Sequence, residues 1–247
     1  VVFTEDQKLT PVVVAIWDSG VDPKVYPGKL FSNVRIIWFI LGAFFFAGLL
    51  VTWVVGTLRP RKYRGFPRLA LRSILMGLIS TLIGGVIFIV LIPGKLVPLD
   101  LHGLAFDLHS NRVHGELYPM GGNAKRLPEL KSQIKGILDI QASVDSPEAA
   151  ALKKKLGTLT PEQVKPFLED LELFGNYIHG THVAGIATEG NPFARILIAR
   201  LTFDYHLIPE KPTVEQAKKD VIADQTYVAY FKRHNVRVVN MSWGGSL

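Results

Sequence analysis

Val12-Val13-Val14-Ala15-Ile16-Trp17-Asp18-Ser19-Gly20 is the stretch that decides how the chain reads. A continuous apolar run rich in β-branched residues, closed by a turn signal, is the pattern of a strand buried on both faces of a parallel sheet. Two further runs have the same character, Arg195 to Leu201 and Val236 to Met241. Between these two, Thr213 to Gln216 forms a capping box. Val214, Ala217, Val221, Val228 and Phe231 follow on one helical face, so a helix is predicted there. Strand, helix and strand in that order imply an α/β fold, a parallel sheet with flanking helices.

Working outward, residues 123–174 read as a helical insert. Ser146-Pro147-Glu148 and Thr160-Pro161-Glu162-Gln163 are helix starts with proline at the first helical position, and Gly157 is a stop for the first of them. Pro166, a turn inside the second helix, predicts a kink.

Two blocks, Ile36 to Leu58 and Ser73 to Ile92, carry no charged side chain. As helices they extend roughly 35 Å and roughly 30 Å, enough to cross a bilayer core. Trp38 and Trp53 lie towards the ends of the first, where interfacial tryptophan is common. Small residues at Ala43 and Ala47, and at Gly77, Thr81 and Gly85, are spaced for close helix approach. The expectation is a two-helix transmembrane hairpin occupying 34–92, between a domain start at 1–33 and its continuation over 93–247. Arg59, Arg61, Lys62, Arg64, Arg68 and Arg72 lie in and beside the connection. By the positive-inside rule loop 59–72 is cytoplasmic, and both flanking parts share the extracytoplasmic side.

Composition agrees with this division. The chain has 247 residues, a hydrophobic fraction of 48% and a formal net charge of +7. Without the six basic residues just named the charge is about +1, so the cluster speaks for a membrane and against a nucleic-acid partner. Without cysteine, the fold depends on neither disulfides nor thiolate-bound zinc. The chain opens on Val1 and stops at Leu247 where a turn leads onward, so both ends read as interior points of a longer sequence.

The residues with chemistry in them are fewer. His179-Gly180-Thr181-His182-Val183-Ala184-Gly185-Ile186 reads as a histidine opening a helix of small residues, able to bring its imidazole close to a neighbouring strand end. A carboxylate on that strand end would hold the ring in one tautomer and orientation. His102, Asp107, His109, His114 and Glu116 are irregularly spaced around a glycine and read as a surface loop rather than a metal site.

Three strings together resemble the subtilase family of serine proteases. Val14 to Asp22 is similar to its aspartate motif, His179 to Gly185 to its histidine motif, and Val238 to Gly245 to its substrate-binding strand, in the family's order. The resemblance implies a subtilisin-like fold, here incomplete, and hydrolysis of peptide or protein substrates through an Asp-His-Ser triad. Asp18 would be the orienting carboxylate and His179 the general base. Ser242, Trp243 and Gly244 would bind substrate backbone as an added strand, and His182 would be structural. The family also implies calcium, but no calcium or other metal site can be assigned, because the hairpin replaces the loop that carries one in many relatives.

The family's Gly-Thr-Ser motif and its oxyanion-hole asparagine do not occur in these residues. The expectation is therefore a fragment of a membrane-associated serine endopeptidase, inactive as this chain alone. The alternatives are an inactive membrane-anchored peptide-binding pseudoprotease and an artificial join between a subtilase and a membrane segment.

Overall fold

Strand β1 (Val12–Asp18) is the second strand from one edge of a five-stranded sheet in the computed structural model, which describes residues 9–58, 66–91, 97–115 and 117–244. Helices α1 (Val34–Leu58) and α2 (Phe66–Leu91) follow, then a short helix α3 (Val97–His102) and strands β2 (Gly103–Phe106) and β3 (Arg112–Val113). A 3-10 turn at Gly121–Arg126 leads into α4 (Leu127–Gln141), α5 (Pro147–Leu156) and α6 (Pro161–Thr188). The described chain closes with β4 (Ala194–Arg200), α7 (Val214–Arg233) and β5 (Val236–Asn240).

The sheet order is β3-β2-β4-β1-β5. β2, β4, β1 and β5 run parallel and only the two-residue β3 is antiparallel, so the fold is α/β with a parallel-rich sheet. Alternation along β1 divides the core into two layers. Val14 and Ile16 pack with Val183 and Ala184 of α6 on one face. Ala15 and Trp17 pack with Ala223, Tyr227 and Phe231 of α7 on the other. Both faces are covered, which is why the strand reads as an unbroken apolar run.

The helix starts at Ser146, Thr160 and Thr213 occur where expected. Ser146 Oγ accepts from Ala149 N at 3.0 Å, and Thr213 Oγ1 accepts from Gln216 N at 3.0 Å. Thr160 and Gln163 make the reciprocal capping box.

Several expectations need correction. Helix α7 buries Ala223, Tyr227, Tyr230 and Phe231, whereas Val214, Val221 and Val228 of the predicted face are exposed. The reason is the aromatic layer: Trp17, Phe106, Tyr227 and Phe231 fill the space over the sheet, and rotating the helix to bury three valines would forfeit it. The second insert helix does not stop near residue 174; α6 runs on through Pro166 to Thr188, so His179 lies well inside a helix instead of opening one. The segment read as a surface loop contains β2, whose Leu104, Ala105 and Phe106 are buried against β4. Four residues are too short a run to announce a strand, and the free edge of β4 recruits them. Glu116 of that segment lies outside the described residues.

The two apolar blocks form antiparallel helices, both long and apolar enough to cross a membrane. α2 begins seven residues before the expected Ser73, placing Arg68 and Arg72 on the helix; Arg59, Arg61, Lys62, Arg64 and Ile92 lie outside the described residues. Their seam is built on Gly48, Thr52 and Gly56 of α1 against Ser73, Gly77 and Gly84 of α2. A Cβ on Gly48 would lie 2.6 Å from Ser80 Cβ, and one on Gly77 would lie 3.0 Å from the Phe45 ring. The expected Ala43 and Ala47 are instead exposed. Just before α1, Asn33 N donates to Leu101 O of α3 at 2.7 Å.

Candidate active site

The C-terminal end of β1 carries Asp18, fully buried, into contact with α6. Nδ1 of His179 donates to Asp18 Oδ1 at 2.7 Å, across 161 positions of sequence. Ser19 N donates to the same oxygen at 2.7 Å. The ring itself remains 46% exposed, so one edge is held by a buried carboxylate while the other faces solvent. That is the arrangement a proton-shuttling imidazole requires.

Residues between the two motifs explain how α6 comes so close. Gly20 sits at φ +114°, a conformation that suits glycine, and turns the chain over the helix. A Cβ on Gly180 would lie 2.3 Å from Gly20 O, so the residue after His179 has no room for any side chain. Gly180 N donates to Ser19 Oγ at 3.0 Å, and Asp22 N donates to Thr181 Oγ1 at 2.9 Å. Tyr26 Oη donates to Thr181 O at 2.9 Å, and a Cβ on Gly185 would lie 2.6 Å from that hydroxyl. Farther along, Lys29 Nζ donates to Thr188 O at 2.9 Å. Residues 18–29 therefore run along α6, and the small residues of the histidine string are the track they lie in. Ser19, Gly180 and Thr181 were not singled out from the sequence. The signal was there, in glycines inside a helix, which cost about 1 kcal/mol each unless a close approach requires them.

Ser242, Trp243 and Gly244 follow β5, beside β1. Ser242 Oγ donates to Asn240 Oδ1 at 2.9 Å. The Trp243 indole N–H donates to Trp17 O, and its ring packs edge-on against Trp17 with centroids 5.7 Å apart. The expected substrate segment is thus tied to the residue before Asp18. His182 is exposed on α6. His102 Nδ1 donates to Phe31 O at 2.6 Å and His114 Nδ1 donates to Asp100, so those histidines are held apart from Asp18 and His179.

Burial pushes up the hydroxyls around this frame. Tyr177, two residues before His179, is raised by burial and then by the Asp22 carboxylate. Tyr227, under Trp17, is raised far above the usual phenol range by burial and donates to Arg200 O. Both stay neutral at ordinary pH. Among the described residues no group of three or more His, Asp or Glu is arranged to hold a metal ion, although calcium is common in the family that the motifs resemble.

The profile of the Subtilase family matches residues 10–246, spanning both motifs and everything between them. No curated protein and no solved structure matches the chain. A match over nearly the whole length, with an aspartate and a histidine in contact at the expected strings, places the chain in the subtilase family of serine proteases.

Proposed function

We propose that these residues are the aspartate and histidine half of a membrane-tethered serine endopeptidase. The observation that carries the reading is the contact between Asp18 and His179. In this reading Asp18 fixes the ring through Nδ1, leaving Nε2 to take the proton from a nucleophilic serine as it attacks the scissile carbonyl. His179 then delivers that proton to the leaving amine. Ser242 to Gly244 pair with the backbone of the peptide on the acyl side and set its register over His179. The nucleophile and its oxyanion donor come from residues other than these 247, in which no Gly-Thr-Ser occurs.

The domain is divided as 1–33 and 93–247, with 34–92 a membrane hairpin. The sheet supports this, since its five strands all come from outside 34–92, and Asn33, the residue before α1, is bonded back to Leu101 of α3. Two crossings leave Asp18 and His179 in one compartment, extracytoplasmic, with 59–72 cytoplasmic. A helical pair spanning a bilayer is the reading favoured by its exposed surface, where Trp38, Phe39, Phe46 and Leu82 are more than two-thirds exposed.

The test is peptide hydrolysis by a protein that carries these residues together with its nucleophilic serine. Asp18→Asn lowers kcat about 10⁴-fold and His179→Ala about 10⁶-fold, the sizes typical of losing those triad members. Unchanged turnover in His179→Ala sinks the assignment. Peptide binding without turnover in the parent protein supports the pseudoprotease instead. Membrane spanning is tested separately, by retention in the pellet after an alkaline carbonate wash.

A further inference from the structure

The point where the hairpin leaves the domain is bordered by the last turn of α7. Asn33 Nδ2 donates to Tyr230 Oη at 3.4 Å, and the His234 ring packs on Phe31 and Tyr230 with centroids 5.0 and 4.3 Å away. Two guanidinium groups converge here from elements 198 positions apart: Arg35 in the first turn of α1 and Arg233 in the last turn of α7. The Asn33–Tyr230 bond and the Phe31–His234 ring contact bring the start of α1 to the end of α7, two residues from Arg35 and one from Arg233. Burial first, then these two charges, hold the His234 imidazole below its usual range. Lys232 adds a third exposed cation on the same turn. The carboxylate near Tyr230, Asp100, is engaged by Arg112 at 2.5 Å and by His114. Among the described residues no ion pair includes Arg35, Lys232 or Arg233.

A helix C-terminus accounts for Lys232 and Arg233, because cations stabilise the negative end of the dipole. It does not account for Arg35. That residue stands at the positive end of α1, where a cation is disfavoured and an anion is wanted. Trp38, three residues on and 72% exposed, shares its face of the helix, as an interfacial tryptophan would.

We infer that Arg35, Lys232 and Arg233 form a docking surface for anionic phospholipid headgroups of the bilayer that α1 and α2 enter. The inference rests on the spanning reading above. It adds a function for the base of the domain: headgroup contacts clamp α7, and through it the sheet face under Trp17, against the membrane surface, which fixes the height and tilt of the Asp18–His179 pair above the lipid. Continuity supports the lipid over a free anion, since Asn33, two residues before Arg35, is bonded to Tyr230, one turn before Arg233, where α1 begins.

The full chain is reconstituted into nanodiscs of phosphatidylcholine alone and of phosphatidylcholine with phosphatidylglycerol. Amide exchange is then followed over Tyr230 to His234. The expected result is exchange about 30- to 150-fold slower with phosphatidylglycerol, the size two or three basic side chains produce at an anionic surface. The difference disappears in the Arg35→Gln/Arg233→Gln double variant, whose circular dichroism is unchanged because both side chains are exposed. Equal exchange in the two lipids, with the hairpin inserted in both, overturns the docking surface and leaves the spanning reading standing. A lipid effect that survives the double variant overturns the assignment to these residues. Failure to insert into either lipid overturns the spanning reading and the docking surface together.

Discussion

Two helical regions interrupt the same sheet, and they are built inside out relative to each other. The insert of α4, α5 and α6 hides Leu130, Leu152, Phe167 and Leu171 and presents charge. Lys155 meets Glu129 at 2.8 Å, and Lys135 meets Asp139 at 2.6 Å and Glu148 at 3.1 Å. The hairpin of α1 and α2 hides Thr52 and Ser73 and presents tryptophan, phenylalanine and leucine. Both use a glycine to bring helices together. A Cβ on Gly136 would lie 2.6 Å from Glu148 O, much as Gly48 is pressed against Ser80. Close packing is therefore common to both regions, and the surfaces are what differ. Water rewards burying the leucines of the insert. The hairpin leaves its large apolar side chains facing outward instead, which is the surface that the spanning reading requires.

The largest expected effect comes from forcing charge into the hairpin. Phe46→Lys, midway along α1 and outward-facing, opposes bilayer insertion by about 3 kcal/mol. The check is the fraction resisting carbonate extraction, and full retention breaks the comparison. Next, Gly136→Val forces α4 from α5 against backbone and lowers stability by about 2 kcal/mol in urea unfolding. Gly48→Val leaves that unfolding midpoint unchanged, because the strain falls inside the hairpin alone.

A smaller effect follows pH. Hydrogen bonds from Lys155 and Arg126 hold Glu129 down to about 2 from its ordinary 4.5. A folded value below the unfolded one contributes stability in full above pH 4.5, lost as pH falls through about 2. The side chain is 46% exposed, so screening reduces the contribution to about 1 kcal/mol. Glu129→Gln flattens stability across that window, and an unaltered acid limb shows the pair to be idle. The smallest effect is Leu138→Lys, on the exposed side of the insert, where a change within about 0.5 kcal/mol is expected. Against Phe46→Lys it is the control for an identical charge placed in water.

Local pattern carried much of this protein. The apolar runs ending at Asp18 and Asn240 became neighbouring strands because unbroken β-branched sequence has few other stable forms. Ser146, Thr160 and Thr213 marked helix starts because a cap is a bond within one turn. Asp18 and His179 stood out by string and order, and the apolar blocks by length.

Tertiary structure decided what no local window contains. The face α7 buries follows from Trp17 and Phe106, which lie far away in sequence. β2 exists because β4 offers it an edge. The position of His179 inside α6, Gly180 against Gly20, and the junction of Asn33 with Leu101 all require chain segments that meet only on folding. Sequence fixes the periodicity and chemistry of each segment, since these depend on neighbours along the chain. Contact between segments depends on which surfaces can exclude their solvent together, and only the folded arrangement settles that.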